Sequence, residues 1–84
     1  MDKAEIINQL KSIVRPYARS EEAFDNLNEN TDFINDLKIN SANLVDIILD
    51  IEERFDITLD NDAMERMLNV KSALEIVESK LAAK

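Results

Sequence analysis

The stretch Ser41-Ala42-Asn43-Leu44-Val45-Asp46-Ile47-Ile48-Leu49-Asp50-Ile51-Glu52-Glu53-Arg54-Phe55-Asp56 decides the reading of this chain. Plotted at about 100° per residue, it separates into three faces. Leu44, Ile47, Ile48, Ile51 and Phe55 share one side, the spacing of a helix that buries one stripe. Asn43, Asp46, Asp50 and Glu53 lie roughly opposite. Between these faces runs a strip made of Ser41, Val45, Leu49, Glu52 and Asp56. Ser is a favoured N-cap type, so the helix is expected to be capped by Ser41 and to run to about Phe55.

Working toward the N-terminus, residues 19–40 are mostly polar, with Phe24, Leu27, Phe33, Ile34, Leu37 and Ile39 scattered among them. This reads as a long loop pinned by apolar side chains, holding a helical turn after Ser20. Such a long connection in a compact domain is usually functional or disordered, and the embedded aromatics favour order. Before it, Ile6, Leu10, Ile13 and Tyr17 recur at helical spacing, which predicts a helix from about Lys3 to Arg15 that Pro16 ends. Toward the C-terminus, Asp60 is a suitable cap for a short helix containing Met64, Met67 and Leu68. Asn69 or Val70 opens a last helix with Leu74, Val77 and Leu81 on one stripe and Ile76 beside it. The expected fold is all-α: a four-helix bundle with a long first loop and a short third helix, residues 1–84 forming one domain.

Composition narrows the function classes. The 84 residues include no Cys and no His, so there is no disulfide, no thiolate zinc site, no catalytic thiol and no imidazole base. No set of residues is read as a metal site. Asp60-Asn61-Asp62 lacks the glycine and ligand spacing of a calcium loop. The net charge of −8 makes nucleic acid and anionic membrane surfaces poor partners. It favours proteins with basic patches. Residues 20–65 hold fourteen acids against two bases, a net of −12, so function is to be sought in the middle of the chain. Met1-Asp2-Lys3-Ala4-Glu5 lacks a signal-peptide pattern and no apolar run is long enough to span a bilayer, so a cytoplasmic, monomeric protein without membrane insertion is expected.

Periodicity leaves the strip open to two readings. Val45 and Leu49 either widen the core face beneath a solvated acidic rim, or form apolar anchors of a docking surface ringed by acids. Ser41 is likewise open. It has no His to activate it and no Gly-x-Ser-x-Gly elbow, so it is no catalytic nucleophile. A helix N-terminus does, however, suit a bound phosphodiester, by about 0.3–1 kcal/mol.

The run Phe33-Ile34-Asn35-Asp36-Leu37-Lys38-Ile39-Asn40-Ser41-Ala42-Asn43-Leu44-Val45-Asp46-Ile47 resembles the signature of the acyl carrier protein family. That signature is an apolar pair, Asp-Leu, then Asp-Ser-Leu opening an acidic helix. The resemblance continues through Ile51-Glu52-Glu53-Arg54-Phe55-Asp56-Ile57 and into the last helix. It implies a non-enzymatic carrier whose 4'-phosphopantetheine arm, derived from coenzyme A, is attached to Ser41 by a phosphopantetheinyl transferase. Acyl intermediates would ride on it as thioesters for fatty-acid or related lipid biosynthesis. The implied partner-binding positions are Val45, Asp46, Leu49, Glu52, Glu53 and Asp56, facing acyl-transferring and lipid-synthesis enzymes with basic docking patches. The implied acyl pocket, between the second and third helices, is lined by Leu44, Ile48, Leu59, Met64 and Met67. Ordinary core packing is the competing reading of each.

Three departures from the pattern stand out. The triplet reads Asn40-Ser41-Ala42, Lys38 replaces the usual Gly, and Leu59-Asp60 replaces Ile-Pro. They point to a specialised carrier, as in lipopolysaccharide or secondary metabolism. An aminoacyl or peptidyl carrier of the same fold and an unmodified acidic helical adaptor are the alternatives.

Overall fold

The computed structural model describes residues 2–83, so the outermost residues of the expected 1–84 domain lie outside the described part. Among the described residues five helices follow in order: α1 (Lys3–Val14), α2 (Glu21–Asp25), α3 (Ser41–Phe55), α4 (Asn61–Arg66) and α5 (Val70–Ala82). Among these residues there is no strand, only an isolated antiparallel bridge between Asp32 and Asn69. The all-α expectation holds. Four helices match those read from the sequence, α4 being the short third member, and α2 is the turn expected after Ser20.

Each helix starts on a short polar side chain that accepts a hydrogen bond from a first-turn N–H. Asp2 serves Glu5, Ser20 serves Ala23, Asp60 serves Ala63 and Asn69 serves Ser72. With α3 the expectation is corrected: its cap is Asn40, whose Oδ1 accepts from the Ala42 N–H at 2.9 Å, and Ser41 is the first helical residue. Asn ranks with Ser as a cap, and Asn40 holds the extended backbone (φ −65°, ψ 134°) that a cap needs.

The C-terminal end of α4 is a second correction. The helix stops at Arg66, so Met67 and Leu68 lie beyond it. The bridge explains the early stop. The Phe33 N–H donates to the Leu68 carbonyl at 3.1 Å and the Val70 N–H to the Thr31 carbonyl at 3.0 Å, which holds Asn69 extended between the two helices.

α1 packs against both α3 and α5, and α4 against α5. Ile6, Leu10, Ile13 and Val14 of α1 meet Ile47, Ile48, Ile51 and Phe55 of α3 and Val70, Ala73, Leu74, Ile76 and Val77 of α5 in one core. The long loop supplies Phe33, Leu37 and Ile39, all but fully buried. Burying side chains of this size contributes about 1.5–3 kcal/mol each, which is why the loop is ordered despite its polarity. Its backbone is satisfied locally. The Asp32 carboxylate accepts from the Ile34 and Asn35 N–H groups, and Asp36 accepts from the Asp32 N–H at 2.7 Å.

Candidate functional site

Ser41 is delivered to the surface by three consecutive local choices. Lys38 stands at φ 59°, reversing the chain between buried Leu37 and Ile39. The Ile39 N–H then donates to the Phe33 carbonyl at 3.1 Å, anchoring the approach to the helix. Asn40 takes the cap. Because of this, the Ser41 hydroxyl is not spent on capping, and no intramolecular hydrogen bond engages it among the described residues. The side chain is exposed at the N-terminus of α3, whose partial positive charge favours a phosphodiester, while the Ala42 and Asn43 N–H groups are already taken by Asn40. A phosphorylated arm therefore fits there. The positive φ at Lys38 also accounts for the glycine of the family signature: a residue without Cβ adopts that conformation at no steric cost.

Beyond Ser41, the strip on α3 does not widen the core. Val45 is 61% exposed and Leu49 53% exposed, against 7% or less for Ile47, Ile48, Ile51 and Phe55. Asp46, Glu53 and Asp56 are exposed around them. Glu52 differs. It is half-buried, and its Oε2 accepts the Leu59 N–H at 2.7 Å, so it ties the α3–α4 connection to α3. Asp56 closes α3 in the left-handed conformation (φ 54°, ψ 53°), and the Ile57 N–H returns to the Glu52 carbonyl at 3.0 Å. A short polar residue tolerates that conformation better than most.

The carboxylates of Asp50 and Asp46 lie near Tyr17, a half-buried residue in the turn after α1. Its phenol is held above its ordinary pKa, first by partial burial and then by those two negative charges. Burial and nearby anions both oppose formation of a phenolate.

The five residues expected to line an acyl pocket all belong to the domain's hydrophobic core or pack against it. Ile48, Leu59 and Met67 belong to the buried core, and Leu44 and Met64 pack half-buried against it. In this state they are core side chains. Sequence reasoning missed three features. Thr31 is buried and its Oγ1 accepts the Asn28 N–H, Leu68 is 49% exposed, and the loop asparagines gather around a polar pocket. Of these, the Asn and Asp spacing in residues 26–36 carried a readable turn signal. Among the described residues, no group of three or more His, Cys, Asp or Glu is placed to hold a metal ion. No helix among them is long and apolar enough to cross a membrane.

A small helical bundle that presents one unengaged serine at the start of an acidic helix is a carrier scaffold. Comparison with known proteins agrees. The family model described as phosphopantetheine attachment site matches residues 8–78. The chain is 30% identical over 84 residues to an acyl carrier protein of Coprothermobacter proteolyticus, covering all of both chains. It is 32% identical over 79 residues to one of Lactobacillus acidophilus, covering 94% of this chain and 96% of the relative. To one of Guillardia theta it is 28% identical over 83 residues, 99% of this chain and 100% of the relative. The chain belongs to the acyl carrier protein family, whose cofactor is 4'-phosphopantetheine. It is a carrier and not an enzyme, and the family implies a phosphopantetheinyl transferase and biosynthetic enzymes as its partners.

Proposed function

We propose that residues 1–84 form one cytoplasmic carrier domain that is modified on Ser41 and carries acyl groups for fatty-acid or related lipid biosynthesis, in a specialised pathway. When attached, the arm's terminal thiol supplies the thioester link to the acyl group. The chain's own residues do the rest. The observation that carries the reading is the placement of an unengaged Ser41 at one end of a strip on which Val45 and Leu49 stand exposed among carboxylates. Those two side chains give a partner apolar anchors, while Asp46, Glu53 and Asp56 steer its basic patch toward them. Glu52 contributes charge from a position also held by its own hydrogen bond. The α3–α4 cluster of Leu44, Ile48, Leu59, Met64 and Met67 opens to shelter the acyl chain, the flexible methionines adapting to its length. The Asn40-Ser41-Ala42 triplet and Lys38 support a specialised role, since both alter the charge and shape beside the modified residue.

The test is incubation with coenzyme A, Mg²⁺ and a panel of transferases, read by intact mass. One arm should be added to the native chain and none to Ser41→Ala. Modification at Ser20, Ser72 or Ser79 would overturn the assignment. The intact mass of protein purified from its own cell identifies the acyl load, and an aminoacyl mass would replace the lipid reading with that of an aminoacyl carrier.

A further inference from the structure

A polar pocket of about 480 Å³, lined in part by Lys38 three residues before Ser41, does not belong to the docking strip. It opens between α2 and the loop after it, and its lining includes Ser20, Asn26, Asn28, Asn30, Asn35 and Lys38. Some of these amides are already committed. Asn28 accepts from the Asn30 N–H at 2.8 Å and donates to the Asn26 carbonyl at 3.1 Å, while the Asn26 amide donates to the Glu22 carbonyl at 2.9 Å. The side-chain amides of Asn30 and Asn35 are engaged by no intramolecular hydrogen bond among the described residues. Each offers a donor and an acceptor.

Lys38 is the one cation of this lining, and it lies three residues before Ser41, within about 10 Å of chain. It holds a left-handed backbone that a residue with a Cβ adopts only under constraint. Such outliers concentrate at active sites and ligand clamps. Glu22 and Asp36 also line the pocket, with Asp36 held by the Asp32 N–H. Two carboxylates repel a free, multiply charged anion. They leave room for a ligand with a single negative charge at the Lys38 rim and a neutral, amide-bearing chain beyond it.

Resting on the reading of Ser41 as the attachment residue, we propose that this pocket is the resting site of the 4'-phosphopantetheine arm. The Lys38 ammonium pairs with the phosphodiester at Ser41. The side-chain amides of Asn30 and Asn35 hydrogen-bond the amide groups of the pantetheine chain. An arm parked there leaves Val45 and Leu49 clear for a partner.

Nitrogen-labelled protein is compared by NMR before and after loading by a transferase with coenzyme A and Mg²⁺, with loading read by intact mass. On loading, the side-chain amide signals of Asn30 and Asn35 should shift and show contacts to the arm's methylene protons. Lys38→Gly fits the positive φ and so preserves the fold. It should move the phosphorus resonance of the phosphodiester and loosen the arm, while Lys38→Arg should preserve both signals. Asn30→Ala with Asn35→Ala should abolish the contacts and return the arm's amide protons to the mobility of free pantetheine. Full loading of Ser41 with shifts confined to Leu44, Ile48 and Met64, or with a freely mobile arm, overturns this proposal and leaves the reading of Ser41 standing. Failure to load, or loading at another serine, overturns both.

Discussion

Lys38 and Asp56 are the two residues with positive φ among the described residues of a chain that has no glycine. The cost falls mainly on Lys38, because a left-handed residue with a long side chain loses about 1–2 kcal/mol. Glycine would remove that cost and add about 0.5–1 kcal/mol of unfolded-state entropy. Lys38→Gly should therefore gain about 0.5–1 kcal/mol, seen as a higher urea midpoint at unchanged slope. A lowered midpoint would show that contacts of the lysine outweigh its strain. Tyr17 gives the second prediction at this scale. Its folded pKa is raised, so the folded state binds the phenolic proton more tightly than the unfolded chain does. The resulting stability is fully present below the unfolded value, near 10, and is lost as pH rises through the folded one. Melting curves taken across that range should fall less steeply for Tyr17→Phe than for the native protein. Parallel curves would mean that neither partial burial nor the Asp50 and Asp46 charges hold the proton in place.

The helix α3 divides its labour between faces, and substitutions can separate them. Val45→Asn with Leu49→Asn alters exposed positions, so stability should stay within about 0.5 kcal/mol. Loading by a transferase should slow about tenfold, the loss of about 1.4 kcal/mol of anchoring. Ile51→Ala should do the reverse, costing about 2–5 kcal/mol of stability through a cavity. Glu52 belongs to both faces. Glu52→Ala leaves the half-buried Leu59 N–H without its acceptor and should cost about 1–3 kcal/mol. Glu52→Gln keeps an acceptor oxygen and should recover most of that stability while still slowing docking. Chemical denaturation and loading rates, measured on the same variants, decide it. Equal stability loss in the two Glu52 variants would show that the charge, and not the hydrogen bond, holds the α3–α4 connection.

For the whole molecule, charge opposes compaction. The Cα radius of gyration is 11.7 Å, close to the roughly 12 Å expected of a compact chain of this length. Into this volume the fold gathers residues 20–65 with their net −12. The exposed contact between Lys80 and Asp60, at 3.9 Å, is too long and too solvated to offset much of that repulsion. Added salt or millimolar Mg²⁺ should therefore raise the melting temperature, by screening the carboxylates or binding loosely to them. A melting temperature unmoved by either would mean that water already solvates the acidic surface well and that repulsion costs the fold little.

The extent of α1 to within a residue, the start of α5, and the buried stripe from Ile47 to Phe55 were readable from the chain alone. They follow from short-range periodicity, which a single helix imposes on its own sequence. The signature around Ser41 was equally legible, because a carrier's attachment residue and the helix it opens are contiguous. Other features needed the tertiary structure. Asn40 displaces Ser41 as the cap because Lys38 and Ile39 enter the helix from a particular direction, set by the Phe33 carbonyl. The α4 helix stops before Met67 and Leu68 because a loop remote in sequence pairs with the chain just beyond them, around the bridge between Asp32 and Asn69. Periodicity left Val45 and Leu49 undecided between core and surface. The packing of α1 covered only the neighbouring stripe of α3 and left these two side chains in water. Burial depends on which neighbours arrive, and that is decided by contacts between residues far apart in the chain.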